Sequence, residues 1–159
     1  MTDSAALTTA IAEIEAQEAR LQFTRFTHAD AWELGSLLVR LATERSLGIT
    51  IDITRGDQQV FHAALAGTTP DNDDWIARKT RTVRRYGESS FLVGRRFALA
   101  GNDFNTKTGL PFTQYVAHGG CFPIVIRDAG PVGTVTVSGL AQADDHALAV
   151  EAIGTFLGI

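Results

Sequence analysis

Lys79 is the first residue whose type and position could support chemistry. It occurs in a basic stretch, 71-DNDDWIARKTRTVRRYGESSF-91, whose opening acidic residues predict a helix that begins near Asp74. At about 100° per residue, the four arginines of this stretch gather on one side and predict a solvated face. Lys79 instead lies on the apolar side, four residues from both Trp75 and Val83. An ammonium group there must reach solvent, pair with a carboxylate or contact a ligand.

Asp52 is the expected carboxylate partner of Lys79. It alternates with Thr50 and Thr54 along a predicted strand, so the three side chains share one face of the sheet. We expect a structural role for Lys79, either a contact with Asp52 or bonds to backbone carbonyls, and an anion-binding or catalytic Lys79 is the alternative.

The sequence His118-Gly119-Gly120 is the second candidate for chemistry. Two glycines permit backbone conformations closed to other residues, and their exposed N–H groups could bind an anion. The alternative is a tight turn that leads into a strand. His118 is the imidazole best placed for ligation or acid/base chemistry.

His146 is the last candidate ligand-binding residue, on the inner stripe of the final predicted helix. A half-buried histidine bonded to a neighbour is the more common role there. His118, Cys121, Asp145 and His146 lack the close spacing of HxxxH or CxxC, so we predict no metal site. The sequence also lacks a dinucleotide fingerprint, a P-loop and a GxSxG motif.

Composition limits the class of protein that these residues serve. The chain has 159 residues, 45% hydrophobic and 20% charged, which predicts one domain over residues 1–159. A net charge of −4 and a pI near 5.5 argue against nucleic acid or an anionic membrane as the main partner. The single cysteine excludes an intrachain disulfide and favours a reducing compartment. Without a membrane-span or secretory pattern, we expect a cytoplasmic protein.

Periodicity predicts the elements that must position the candidates. Helical patterns cover residues 4–23, 27–46, about 74–86, 89–100 and 143–159, and strand patterns cover 48–55, 58–67, 122–128 and 132–140. Expected helix caps are Thr27 or Asp30, Ser89 or Ser90, and Asp144 or Asp145. Residues 101–120 read as a long polar loop of the kind that forms lids or binding loops. The predicted fold class is α+β, a central antiparallel sheet packed by helices from both ends of the chain.

Two long segments resemble the haem-degrading-domain family, also called GlcG-like. They are "ITIDITRGDQQVFHAALAGTTPDNDDWIARKTRTV" and "HGGCFPIVIRDAGPVGTVTVSGLAQADDHALAVEAI", and together they span most of the chain. Asp52, Gly56 and Lys79 stand where this family has a recurrent aspartate, glycine and lysine. The motifs "PDNDDWIARKT" and "HGGCFPI" are most similar to a subgroup of uncharacterised cytosolic proteins. The resemblance implies a profilin-like fold, an oligomeric protein and haem as a candidate cofactor.

Two classes of function follow from these patterns. In the first, the protein binds a small ligand, haem or another anionic metabolite, through Lys79, the His118–Gly120 turn and the loop before it, with catalysis left open. In the second, it is a non-enzymatic oligomeric scaffold or protein-interaction module, and Lys79 only organises the fold. We also expect a homo-oligomer, because the apolar content is high for a short chain and the family resemblance points the same way.

Overall fold

The computed structural model describes residues 3–159, which form six helices and one four-stranded sheet. The elements are α1 (Ser4–Arg20), α2 (His28–Glu44), β1 (Thr50–Arg55), β2 (Gln58–Ala64), α3 (Pro70–Tyr86), α4 (Ser90–Leu99), α5 (Phe104–Thr108), β3 (Cys121–Ile126), β4 (Gly130–Ser138) and α6 (Gln142–Leu157). This arrangement confirms the predicted α+β class. Within the described range, every helix is too short or too polar to cross a bilayer.

The sheet is antiparallel, and its two faces differ in chemistry. The strand order is β2-β1-β4-β3, so β1 and β4 are central. On one face, Ile51, Ile53, Val135 and Val137 pack with α2 and α6 in the main apolar core. Because side chains alternate along a strand, the other face under α3 is polar. That face carries Thr50, Asp52, Thr54, Thr134, Thr136 and Ser138, all buried.

Local capping sets most helix boundaries. The Thr27 hydroxyl accepts the Asp30 N–H at the start of α2, and the Ser89 hydroxyl accepts the Leu92 N–H at the start of α4, as predicted. The expected start of α3 near Asp74 is wrong by about one turn. This helix begins at Pro70, because proline suits the first helical position.

The predicted cap of the last helix is also wrong. Helix α6 begins at Gln142 after Ala141, and neither Asp144 nor Asp145 caps it. The carboxylate of Asp145 instead accepts the Leu140 N–H at 2.9 Å, from the turn before the helix. Asp145 therefore points back toward the end of β4.

The segment between α4 and β3 is tied down rather than free. It contains the short helix α5, and its later part runs along α3. The Thr82 hydroxyl donates to Val116 O at 2.8 Å, and Arg81 Nη1 donates to Gln114 O at 3.2 Å. These bonds hold the residues immediately before His118 against the helix that carries Lys79.

Candidate functional site

Lys79 is buried, with 3% of its surface exposed, and its charge is satisfied inside the protein. Its Nζ donates to Val137 O and to Asp145 Oδ2, both at 3.1 Å. The predicted Lys79–Asp52 contact is therefore wrong, because the first turn of α6 folds round the end of β4 and brings Asp145 to the lysine. Burial raises the pKa of Asp145 above its ordinary value, and the charge of Lys79 opposes that rise. An ammonium has three N–H donors, so one remains for the cavity that Lys79 lines.

Asp52 lies elsewhere on the polar face, at the β1–β2 end of the sheet. Its Oδ2 accepts hydrogen bonds from Gln59 Nε2 and from His62 Nδ1, the latter at 2.9 Å. It lines neither of the cavities beside His118. The structure thus separates Asp52 from the other candidate residues.

Gly119 and Gly120 form the turn that leads into β3, and both are confined by their neighbours. A Cβ at Gly120, where φ is +135°, would lie 2.4 Å from Val137 O and 2.6 Å from Lys79 Nζ. A Cβ at Gly119 would lie 2.3 Å from Gln142 O, and the Gly119 N–H is already bonded to Gln142 Oε1 at 3.1 Å. Because Gly119 and Gly120 have no side chains, the turn can pass between β4 and α6. Ligand binding by these two glycines stays a prediction.

His118 is exposed and stands at the junction of two cavities. Its ring stacks on Trp75, with centroids 5.4 Å apart and an interplanar angle of 20°. One cavity, of about 260 Å³, is lined by Asp71, Asn72, Trp75, Lys79, His118, Ser138, Gly139, Leu140, Gln142 and Asp145. The other, of about 500 Å³, is lined by Gly94, Arg95, Phe97, Ala98, Asn102, Asp103, Phe104, Asn105, Thr106, Phe112, Ala117, His118 and Gln142. His118 and Gln142 form their shared wall.

The surroundings of His118 are electropositive. Partial burial lowers the pKa of His118, and the charges of Lys79, Arg78 and Arg95 lower it further. Near neutral pH the imidazole is therefore neutral, with a nitrogen lone pair available. Neutral imidazole is the form that ligates metal ions.

Arg78 is buried between aromatic rings, so the predicted solvated face is wrong at this residue. Its guanidinium carbon lies 4.0 Å from the Trp75 ring centroid and 5.2 Å from that of Phe112. Its Nε lies 2.9 Å from the Asp74 carboxylate, while only 6% of the residue is exposed. Trp75 and Arg78 are three residues apart, a spacing that brings side chains together on a helix and could have signalled this contact.

Arg95, on α4, is a second arginine that sequence reasoning missed. Its Nε is buried and bonds to no residue in 3–159, and its guanidinium lies 5.1 Å from the Phe91 ring centroid. It lines the larger cavity beside His118. A buried donor without a partner is costly, so this group is available to an acceptor that enters the cavity.

His146 is not part of this site. It is 3% exposed, lines neither cavity, and its Nε2 lies 2.7 Å from Gln17 Oε1. Burial lowers its pKa to about 4. The structure therefore favours the alternative role, a neutral core histidine bonded to a neighbour.

Comparison with known proteins places this chain in a family. The profile described as "Haem degrading protein HbpS-like" matches residues 26–154, which include β1 through most of α6. The chain belongs to the HbpS-like haem-degrading family. A UPF0303 protein of Streptomyces coelicolor is 57% identical over 148 residues, covering 93% of this chain and 94% of the relative.

Solved structures share the fold. The crystal structure of the Ybr137w protein superposes with a TM-score of 0.88 at 29% identity, covering 98% of this chain and 94% of that one. The crystal structure of a PduOC–haem complex superposes with a TM-score of 0.67 at 17% identity, covering 81% of this chain and 93% of that one. At the lower identity, the likeness is one of fold alone.

Proposed function

We propose that the protein binds haem, a small anionic ligand, in the two cavities that meet at His118. The observation that carries the proposal is the His118 imidazole in the shared wall, with Lys79 lining one cavity and Arg95 the other. Partial burial, and then the charges of Lys79, Arg78 and Arg95, lower the pKa of His118. Haem presents one metal ion and carboxylate groups, and this arrangement offers the His118 imidazole for the former and the Arg95 guanidinium of the larger cavity for the latter.

The volume and the aromatic lining of the site support an aromatic ligand. The larger cavity, at about 500 Å³, lies within the range of about 300–1,000 Å³ usual for ligand sites. Its wall includes Phe97, Phe104 and Phe112, and Trp75 extends the aromatic surface past His118. Bound haem would supply a redox-active iron, and the protein would supply orientation and charge. The haem found in the PduOC complex supports the same choice of ligand.

Haemin titration tests the proposal directly. We expect a saturable, shifted Soret band with wild type, and its loss or displacement in His118→Ala. The matched control is His28→Ala, because His28 is also exposed but lies at the start of α2 beside Gln58. No Soret change with wild type, or equal spectra for wild type and His118→Ala, would refute iron ligation by His118.

Iron-free protoporphyrin separates anion binding from iron ligation. Arg95→Met keeps much of the apolar stem and removes the charge, so it should weaken the binding of both haemin and protoporphyrin by about tenfold. His118→Ala should weaken only haemin. Tryptophan fluorescence quenching measures both ligands, and equal losses of both ligands in His118→Ala would contradict the assigned roles.

One observation favours the second class of function, a self-associating scaffold. Trp32, on α2, is 69% exposed and packs edge-to-face on Phe61 of the edge strand β2. A largely exposed tryptophan beside a half-buried phenylalanine is typical of interaction surfaces. Light scattering should show a species larger than 17.1 kDa for wild type. If Trp32→Ala gives a smaller species than wild type, the interface includes Trp32. A wild-type species of 17.1 kDa would refute the scaffold function.

A further inference from the structure

We propose a second ligand site, at Asp52, which binds the ammonium group of a small organic amine. It lies on the β1–β2 side of α3 and shares no lining residue with the cavities beside His118. The cavity measures about 300 Å³, which suits a single small metabolite. Its lining residues are Asp52, Thr54, Asp57, Gln59, Asp73, Ile76, Ala77, Thr80, Arg81 and Arg84.

The first argument is the incomplete bonding of the Asp52 carboxylate. The residue is 5% exposed, yet both of its side-chain hydrogen bonds, from Gln59 and His62, go to Oδ2. The other oxygen, Oδ1, accepts no hydrogen bond from a side chain in residues 3–159. A carboxylate has about four acceptor positions, and a buried one is costly unless its charge is matched.

The second argument is that no lysine or arginine in residues 3–159 pairs with this carboxylate. Two arginines line the same cavity, but both are directed to backbone carbonyls. Arg84 Nη2 donates to Gly56 O at 2.9 Å, and Arg81 Nη1 donates to Gln114 O at 3.2 Å. Asp52 is thus left for a cation from outside.

The third argument is a β-bulge that shapes the floor of the cavity. Ile53 pairs with Phe61 and Thr54 pairs with Gln59, so Val60 is the extra residue on β2. The bulge lets Val60 pack with the apolar core while Gln59 turns to the polar face and donates to Asp52. Bulges commonly re-aim a side chain next to a binding site.

The charges of the cavity favour a cation over an anion. Three aspartates and two arginines line it, and Arg84 also faces Asp57 at 3.9 Å. That pairing leaves Asp52 and Asp73 without a lysine or arginine partner among residues 3–159, and His62 is the side chain that lies against both. Hydroxyl groups of Thr54 and Thr80 offer further acceptors for N–H donors, and Ile76 and Ala77 provide a short apolar wall for a carbon chain.

His62 is the internal rival for this role. Its Nδ1 lies 2.9 Å from Asp52 Oδ2 and its Nε2 lies 3.1 Å from Asp73 Oδ1, so a protonated ring would bridge both carboxylates. The bridge leaves Asp52 Oδ1 untouched. An amine bonded to Asp52 Oδ1 would leave the His62–Asp52 bond in place and would compete with His62 only for Asp73.

Propylammonium and its uncharged isostere 1-propanol provide the test. We expect saturable amide shifts in two-dimensional NMR at millimolar propylammonium, centred on Asp52, Gln59 and Thr80. 1-Propanol should bind at least about tenfold more weakly than propylammonium, because it lacks the charge. This comparison uses the wild-type protein, so it does not depend on the folding of a variant.

Substitutions identify the carboxylate. Asp52→Asn keeps the shape and removes the charge, and it should weaken propylammonium binding by at least about tenfold. Asp144→Asn is the matched control, because Asp144 is exposed on α6 and lines none of the three cavities, and it should leave binding unchanged. Equal binding of propanol and propylammonium, no saturable shift with either, or full binding by a folded Asp52→Asn would overturn the proposal. Haemin titration of Asp52→Asn should match wild type, since the two sites are separate.

Discussion

Replacing Lys79 with methionine tests the buried ion pair at the centre of the candidate site. Methionine keeps a long apolar stem but removes the ammonium, so Asp145 is left buried and unpaired. The side chains of Lys79 and Asp145 are 4% and 3% exposed, so solvent screens the pair little. Breaking such a pair costs roughly 3–5 kcal/mol. For a chain of this length we expect the melting temperature to fall by about 6–20 °C.

Urea denaturation provides the assay, and the chain contains a matched control. Lys107 is the other lysine, exposed on α5, and Lys107→Met should change the free energy of unfolding by about 0.5 kcal/mol or less. Adding Asp145→Asn to Lys79→Met should restore part of the loss, because the stranded charge is gone. Equal effects of Lys79→Met and Lys107→Met, or no rescue by Asp145→Asn, would refute the assigned pair.

The same variant should respond to pH in a defined direction. Burial already raises the pKa of Asp145, and removing Lys79 removes the main effect that opposes the rise. A raised folded-state pKa of an acid means that stability is greatest below the unfolded pKa and is lost as pH rises through the folded one. The penalty of Lys79→Met should therefore shrink in acid, where Asp145 is protonated, and be complete at higher pH. A penalty that does not change with pH would contradict this account.

Two further predictions concern α1 and the turn into β3. Burial raises the pKa of Glu18, which accepts hydrogen bonds from Ser89, from 4.5 to about 7. The contribution of Glu18 to stability is therefore present below its unfolded pKa and is lost as pH rises through about 7. We expect the urea midpoint of the wild type to fall over this pH range, and the urea midpoint of Glu18→Gln to lack that fall. Gly120→Ala should cost more than Gly109→Ala in urea denaturation. Both glycines have positive φ, so the backbone strain of alanine alone should lower the free energy of unfolding by about 1–3 kcal/mol at Gly109. A Cβ at Gly120 would in addition lie 2.4 Å from Val137 O. Equal decreases in the free energy of unfolding would show that the turn adjusts to the added Cβ.

The sequence predicted the secondary structure well because the signals involved are local. The Thr27 and Ser89 caps depend on bonds within one turn of helix, and the alternation of Ile51 and Ile53 with threonine and aspartate marks a strand by itself. The same patterns predicted the α+β class, and the family resemblance added the expectation of a profilin-like fold. Trp32 shows the limit of periodicity, since this large aromatic residue within the helical pattern of residues 27–46 is 69% exposed.

The partners of the charged residues could not be predicted from the sequence, because they depend on the tertiary structure. Lys79 pairs with a carboxylate 66 residues later, and the angle at which α6 leaves the sheet decides that contact. Asp52 shows the effect of one extra residue. A regular hairpin counted from the Arg55–Gln58 pair places Phe61 opposite Asp52, whereas the bulge at Val60 places His62 there.

The polar face of the sheet has a consequence for motion. Helix α3 rests on threonines and hydrogen bonds, while the main apolar core lies on the opposite face. Separating α3 from the sheet would therefore expose little apolar surface, so this opening should carry a small heat-capacity change and a small urea dependence. Hydrogen exchange should show α3 opening below the free energy of global unfolding. Since Lys79 and the wall of the Asp52 cavity both belong to α3, a ligand at either site would slow the same opening and protect the same amides.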